Sequence, residues 1–320
     1  MKTLVAGGAG YIGSVVTRLL AAEGHEVVVL DDCSTGHADS IPDGIEFIRA
    51  DIVDAGTILD GEGFDAVLHF AARSLVGESV QEPSKYWHNN VIGTRVLLDA
   101  VTEHGVPRLV FSSTAAVYGE PDDIPISEDA PARPTNTYGA TKLAVDMMIT
   151  NECAATPLAA VSLRYFNVAG AALGAGERHA IETHLIPIAL DAVLGRRDKL
   201  TIYGDDWPTP DGTPIRDYVH VLDLARAHVL ALQAASPGQH LICNLGNGDG
   251  FSVHDVIGTI EEVTGLPLPV TVGPRRAGDP ARLVASADRA AAELGWRPEF
   301  DLRRMVADAW QFRQENEDRP

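Results

Sequence analysis

Cysteine is scarce in this chain of 320 residues: Cys33, Cys153 and Cys243 form an odd, scattered set with no CxxC pair. That excludes a disulfide framework and a cysteine-based zinc site, and it suits a reducing compartment. Basic charge is scarce too, with 25 Lys and Arg against 45 Asp and Glu and a formal net charge of -20. A surface of that sign gives no general attraction for a polyanion, so nucleic acid is not an expected partner. Individual arginines remain free to meet a small phosphate-bearing ligand. Long apolar runs are missing as well. The opening MKTLVAGGAGYIGS breaks at Gly7, too early for a secretory signal, and no later stretch offers the ~20 uninterrupted apolar residues of a membrane helix. The expectation is a soluble, cytoplasmic protein with no membrane partner and no metal site.

What is present is alternation. Short apolar runs, TLVAG, EVVVL at 26 to 30, IEFI at 45 to 48, AVLHF at 66 to 70, RLVFS at 108 to 112 and AVSLR at 160 to 164, are separated by helical patterns. Nearly continuous apolar runs suit strands of a parallel sheet buried on both faces. The helical patterns include YIGSVVTRLLAAEG, the run from Trp87 to Glu103, and YGATKLAVDMMITN. Strand and helix in turn predict a doubly wound α/β domain. After Gly170 the pattern loosens: a helix HLIPIALDAVLGRR, a loop DDWPTPDGTPIRD, a helix VHVLDLARAHVLAL, then HLICNLG, which reads as a strand rejoining the sheet. This predicts two intertwined α/β domains, residues 1–170 with about 219–247, and a smaller one of 171–218 with 248–320.

Gly7, Gly10 and Gly13 lie between the first strand and the first helix, and Gly8, Gly10 and Gly13 satisfy GxGxxG. Glycines let the backbone turn tightly and approach a pyrophosphate, whose charge the exposed N–H groups of the helix start would favour. The following strand ends in Asp31 and Asp32, eighteen and nineteen residues past Gly13. A carboxylate there accepts from both hydroxyls of an adenosine ribose and repels a 2′-phosphate, so a Rossmann-type domain binding NAD rather than NADP is expected. Asp51, after the third strand, is a candidate adenine contact.

FSSTAAVYG places Ser112, Ser113 and Thr114 at the carboxyl end of the fifth strand, where ligands of open α/β sheets bind. All three hydroxyls are expected to face the cofactor cleft. In TYGATK, Tyr138 and Lys142 stand at i and i+4 on one helix face, with Tyr138 in the first turn. A free phenol titrates near ~10, too high for a base at neutral pH. A nearby ammonium and a positive nicotinamide ring would both favour phenolate. By itself the spacing says only that two side chains share a face; with the glycine turn and the strand-end hydroxyls it gains a chemical purpose.

These residues resemble the extended short-chain dehydrogenase/reductase superfamily, with its Gly-x-x-Gly-x-x-Gly, Ser/Thr and Tyr-x-x-x-Lys. Within it the whole chain is similar to the UDP-glucose 4-epimerase family, through GGAGYIGS, HFAARSLVGESV, NNVIGT, RYFNVAGA, HLIPIAL and, most specifically, DGTPIRDYVHVLDLA with PRRAGDP. Related dehydratases and decarboxylases are expected to carry a carboxylate beside the catalytic hydroxyl, whereas Thr114 is followed by Ala115 and Ala116.

The resemblance implies an NAD-dependent isomerase whose substrate is a UDP-hexose. Tyr138 would exchange the proton of the 4′-hydroxyl, Thr114 would assist by hydrogen bonding, and Lys142 would tune Tyr138 and hold the nicotinamide ribose. Cofactor contacts carried over are Gly7, Gly10, Tyr11, Ile12, Gly13, Asp31, Asp32, Asp51, Ile52, Phe70, Ala71, Ala72, Asn89, Ser112, Tyr138, Lys142 and Tyr165. Substrate contacts are Ser74, Thr114, Tyr138, Asn167, His184, Leu185, Tyr203, Arg216, Arg276, Asp279 and Leu283, the two arginines gripping the pyrophosphate. Ser74 stands where a lysine is common in the family, and Leu283 where some members have a tyrosine, which leaves room for an N-acetyl group and UDP-GalNAc. Rivals are a 4-epimerase of UDP-glucuronate or a UDP-pentose, and a catalytically idle NAD-sensing scaffold. The apolar stripes with Val91, Leu97, Leu98, Leu143, Met147 and Met148 are mostly sheet-facing core, but superfamily relatives pair these two helices into a four-helix bundle, so the resemblance implies a homodimer.

Overall fold

The computed structural model describes residues 1–276 and 279–316. The apolar segments become β1 (Lys2–Ala6), β2 (Glu26–Leu30), β3 (Glu46–Ile48), β4 (Ala66–His69), β5 (Arg108–Thr114) and β6 (Ala159–Tyr165). A seventh strand, His240–Leu245, joins the edge beside β6, and the order is β3-β2-β1-β4-β5-β6 and then that strand, all parallel. The predicted doubly wound Rossmann-type sheet is therefore present, and HLICNLG rejoins it.

Period-two side-chain alternation explains why these strands read as unbroken apolar runs. Leu4 and Val5 are neighbours on β1, point to opposite faces and are both fully buried. Val5 packs with Val16 and Leu20 of helix Tyr11–Ala22 and with Leu224 of helix Val221–Ala234. Leu4 packs on the other face with Leu97 and Val101 of helix Thr94–Glu103 and with Val145 and Ile149 of helix Thr137–Ala155. Each such side chain contributes on the order of 1.5–3 kcal/mol by leaving water, so both faces must stay covered. The sheet order reverses between β1 and β4, and that crevice, at the carboxyl ends, is where an open α/β sheet takes its ligand.

A separate apolar core, including Ile186, Leu190, Val256, Ile260, Met305 and Val306, joins helices Leu185–Val193, Val253–Thr264 and Leu302–Glu315. Beside it, Leu200–Tyr203 pairs in parallel with Val270–Gly273, and Ile215–Arg216 lies between Phe251–Ser252 and Arg282–Leu283. Local signals set these boundaries. Ser252 and Asp255 close a reciprocal capping box at the start of helix Val253–Thr264, and Gly265, at φ 69°, ends it in the left-handed conformation.

Three elements differ from the sequence reading. The run VHVLDLARAHVLAL is not helical from its first residue: Tyr218–His220 is a strand paired with Asn167–Ala169, and the helix begins at Val221, where the His220 ring accepts from the Leu222 N–H. The helix of HLIPIALDAVLGRR covers only Leu185–Val193. The run from Trp87 to Glu103 opens as a π-helix, Trp87–Gly93, before the α-helix Thr94–Glu103. At its junction Gly93 faces the Ile52 side chain, which a Cβ would meet at 3.1 Å. No helix among the described residues is long and apolar enough to cross a membrane.

Candidate active site

The glycine turn is built by close approach. Gly7 has φ +86°, and a Cβ there would stand 2.5 Å from the Ala71 nitrogen; a Cβ on Gly13 would stand 2.2 Å from the Gly7 carbonyl oxygen. Only glycine fits both places. Gly10 caps helix Tyr11–Ala22 without a side chain, which leaves the first N–H groups of the helix and their partial positive charge facing the cleft. Asp31 braces this turn: one carboxylate oxygen accepts from the Ala9 N–H at 2.9 Å and the other from the Cys33 N–H at 2.8 Å. Burial pushes its pKa up while those two bonds pull it down. Asp32 is exposed and accepts from the Ser34 N–H. Asp51 lies past the end of β3 and caps the short helical turn Ile52–Asp54 through the Val53 N–H. A backbone cradle at a helix start with acidic groups at the end of β2 fits NAD, the pyrophosphate on the N–H groups and the ribose on the carboxylates.

At the end of β5 the pleat decides which hydroxyls are available. Ser112 and Thr114 line the cleft, whereas Ser113 points to the other face and donates to Asp146 at 3.1 Å. The expectation that all three faced the cleft is corrected by the two-residue period. Asn136 caps helix Thr137–Ala155 by accepting from the Gly139 N–H, which fixes Tyr138 in the first turn. Gly139 lets this turn sit hard against the segment after β5, since a Cβ would fall 2.4 Å from the Ala116 carbonyl oxygen. Tyr138 and Thr114 are brought together by that packing.

The Lys142 ammonium donates to the Ser112 carbonyl at 2.7 Å, lies 4.7 Å from the Phe111 ring centroid and 6.0 Å from that of Tyr138. Burial lowers its pKa to about 7, with Asp146 acting the other way. Burial likewise raises the Tyr138 phenol, opposed by a hydrogen bond with Thr114. In the protein alone the Lys142 ammonium is held by the Ser112 carbonyl and its charge is disfavoured by the same desolvation. Tyr165 hydrogen-bonds the Ser112 hydroxyl.

Opposite lies a more polar wall. The Arg276 guanidinium stacks over Tyr203, 3.7 Å from the ring centroid. Arg216 is 4.0 Å from Asp279 and donates to the Ile215 carbonyl, and its ladder partner across the short strands is Leu283. Asn167 donates to the Asp217 carbonyl at 2.9 Å. His184 is engaged by two carboxylates, Glu177 at 2.6 Å and Glu182 at 2.9 Å, which raise its pKa to about 10 against the effect of burial.

Apart from Ser113, every residue nominated from the sequence, on both the cofactor and the substrate side, lines one cleft of about 1080 Å³. That exceeds the ~300–1,000 Å³ usual for one small ligand, as a site for two would. Sequence reading passed over Glu177, His179 and Glu182, which line the same cleft, although ERHAIETH displays them as a regular acid and histidine alternation. It also missed Asp217, fully buried, whose carboxylate accepts from the Asn247, Gly248 and Ala285 N–H groups. Its partners are distant in sequence, so no local spacing announces it.

Residues 3–246 match the family described as "NAD dependent epimerase/dehydratase family". A UDP-glucose 4-epimerase of Corynebacterium glutamicum is 57% identical over 314 residues, covering 98% of this chain and 95% of the relative. A crystal structure of UDP-glucose 4-epimerase from Brucella ovis in complex with NAD is 44% identical with a TM-score of 0.93, covering 97% of both chains. One from Bifidobacterium longum in complex with NAD+ and UDP is 35% identical with a TM-score of 0.94, covering 99% of both.

Proposed function

The chain belongs to the NAD-dependent epimerase/dehydratase family and, within it, to the UDP-glucose 4-epimerases; from that premise we propose that its cleft interconverts UDP-glucose and UDP-galactose with Tyr138, Thr114 and Lys142 at the reacting centre. The cofactor is NAD. When bound, NAD supplies acceptor and donor for the hydride exchanged at C4′ of the sugar. The observation that carries the reading is convergence: strand-end hydroxyl, helix-start phenol and buried lysine meet in the cleft that also holds the glycine turn and two arginines.

Tyr138 takes the proton from the 4′-hydroxyl as the carbonyl of the 4-keto sugar forms, and gives one back when that carbonyl is reduced. Thr114, hydrogen-bonded to the phenol, favours the anion by donating to it. Lys142 holds the nicotinamide ribose, and its cation becomes more favourable once the phenolate forms beside it. Gly7, Gly10, Tyr11, Ile12 and Gly13 cradle the pyrophosphate, Asp31 and Asp32 the adenosine ribose, and Asp51 and Ile52 the adenine. Phe70, Ala71, Ala72, Asn89, Ser112 and Tyr165 complete the cofactor wall.

Reduction on the opposite face requires the hexose to turn over while the nucleotide stays anchored. Arg216 and Arg276 grip the pyrophosphate, Tyr203 meets the uracil and Asp279 the uridine ribose, with Asn167, His184 and Leu185 nearer the sugar. Leu283 and Ser74, which offer no charge, leave the hexose loose, and Leu283 gives space for a 2-N-acetyl group. We assign residues 1–170 with about 219–247 to the cofactor, and 171–218 with 248–320 to the nucleotide sugar; residues 277–278 and 317–320 lie outside the described ones. A panel of UDP-galactose, UDP-GalNAc, UDP-glucuronate and UDP-xylose with wild type and Tyr138→Phe tests this. Turnover of UDP-galactose is expected to fall by ~10²-fold or more in the variant; near-full activity would sink the mechanism, and no wild-type turnover of UDP-GalNAc would sink the N-acetyl extension.

We further propose a cytoplasmic homodimer. The three cysteines are free, as a reducing compartment requires. Leu97 and Leu98 are 1% exposed and belong to the core, so the face for a second copy is carried by Trp87, Ile92 and Met147, which are 42%, 52% and 59% exposed. Light scattering of the purified protein is expected to give twice the chain mass, and a monomer at all concentrations would overturn the assignment.

A further inference from the structure

Another concentration of chemistry sits in the strap between the strand Ala175–Gly176 and the helix Leu185–Val193. Glu177, His179, Glu182 and His184 each turn a ligating atom inward, and these atoms all lie within 4.8 Å of one another. Glu177 Oε1 is 2.9 Å from His179 Nδ1 and 2.6 Å from His184 Nδ1. Glu182 Oε1 is 2.9 Å from His184 Nδ1, and its Oε2 is 3.8 Å from His179 Nδ1.

Hydrogen bonding accounts for only part of this. Both rings aim the same nitrogen at the same carboxylate oxygen, so both would have to carry a proton there, with ring centroids 5.4 Å apart. One group stays unmet even so: Glu182, whose side chain is 8% exposed, keeps Oε2 buried with no hydrogen-bond partner among the described residues. Arg313 is 3.9 Å from that oxygen and is itself held by Asp191 at 2.8 Å.

One divalent cation satisfies all four groups. Zinc bonded to nitrogen and oxygen at ~2.0–2.2 Å in a tetrahedron sets its ligands about 3.4 Å apart. The four His–Glu separations, 2.6 to 3.8 Å, straddle that value and no pair of ligating atoms is more than 4.8 Å apart, so side-chain shifts would admit the ion. Two imidazoles with two carboxylates suit a zinc-like transition cation better than magnesium or calcium, which take oxygen ligands.

We propose that Glu177, His179, Glu182 and His184 form a binding site for a divalent transition cation of the zinc type. Four protein ligands fill a tetrahedral shell, so the ion is structural and leaves the reaction to other groups. Its effect would be to fix the strap. Within it Arg178 pairs with Asp39 and donates to Ser40 at 2.9 Å, and its carbonyl lies 2.8 Å from His37 Nε2. On the other side His184 leads straight into Leu185 at the substrate wall. The cation would therefore tie the cofactor side of the cleft to the sugar side.

The test is a titration of the full-length protein, first stripped with a chelator, using Co2+ followed by its visible absorption and Zn2+ followed by calorimetry. One equivalent is expected, with the intense band of four-coordinate cobalt, no comparable binding of Mg2+, and roughly tenfold or greater weakening in His179→Gln. A thermal scan without metal checks that the variant is folded; if it is not, Glu182→Gln replaces it. Absence of binding tighter than millimolar, or undiminished binding in the folded variant, would overturn the proposal.

Discussion

Replacing Asp217 by asparagine tests how the polar wall is held. The Asp217 carboxylate is fully buried between Arg216 and Tyr218, with Oδ1 2.6 Å from the Asn247 nitrogen and Oδ2 3.0 Å from those of Gly248 and Ala285. An amide of the same shape has one accepting oxygen. In its better orientation that oxygen keeps Gly248 and Ala285, and the NH₂ is set against the Asn247 N–H. One buried donor left without an acceptor costs about 1–3 kcal/mol, and the two surviving bonds lose the charge that roughly doubled their strength. Together this is on the order of 2–5 kcal/mol. At about 2.1 cal/mol/K per residue, unfolding of a chain this long converts that into a fall in Tm of roughly 3–7 °C. Calorimetry of Asp217→Asn beside Asp198→Asn, an exposed carboxylate changed in the same way, isolates the effect; the control should move Tm by less than ~1 °C. Because the strand is loosened beside Arg216, KM for the nucleotide sugar should rise more than kcat falls. Equal Tm values for the two variants would refute the reasoning.

Gly7→Ala is expected to cost more than Gly24→Ala: both have positive φ, +86° and +82°, but only at Gly7 does a Cβ meet backbone, 2.5 Å from the Ala71 nitrogen, with nothing within 4 Å at Gly24. The shared left-handed strain is ~1–2 kcal/mol, so thermal scans separate strain from collision, and NAD released on denaturing the purified protein should fall only for Gly7→Ala. Identical behaviour of the pair would show that close approach is not what glycine provides there. His69 is buried with its pKa lowered to about 3, chiefly by desolvation and then by Lys142, and it hydrogen-bonds Thr94 at 2.8 Å. Below its unfolded value of ~6.5 the unfolded chain binds the extra proton, so this contribution is whole above that pH and is lost progressively down to about 3. Between pH 7.5 and 5 the stability advantage of wild type over His69→Gln should shrink by up to ~2 kcal/mol, measured by denaturant titration; a gap independent of pH would contradict it.

Chemistry compressed into short spacings was readable. The glycine turn, the acidic end of β2 and Tyr138 with Lys142 each lie within one turn or one helix face, where local geometry fixes which groups meet. Ser113 was misread because strand alternation was not applied to FSST, and the start of VHVLDLARAHVLAL because an apolar run bordering a helix has no period of its own. The electrostatic setting of Lys142 was legible only in part. Spacing places the ammonium on the right helix face but says nothing of the Ser112 carbonyl that captures it or of the burial that weakens it.

Amino-acid order alone determined the alternation of strand and helix, hence the doubly wound sheet, and the candidate residues of the cleft, because those depend on groups a few residues apart. Tertiary structure decided what those groups face. It brought Thr114 to Tyr138 by letting Gly139 sit against Ala116, placed Arg216 and Leu283 across one short ladder, and closed Asp217 over three backbone N–H groups from distant segments. It also drew Glu177, His179, Glu182 and His184 inward on a common centre. Such meetings depend on how separate segments pack, and burial then sets how strongly each charge is felt.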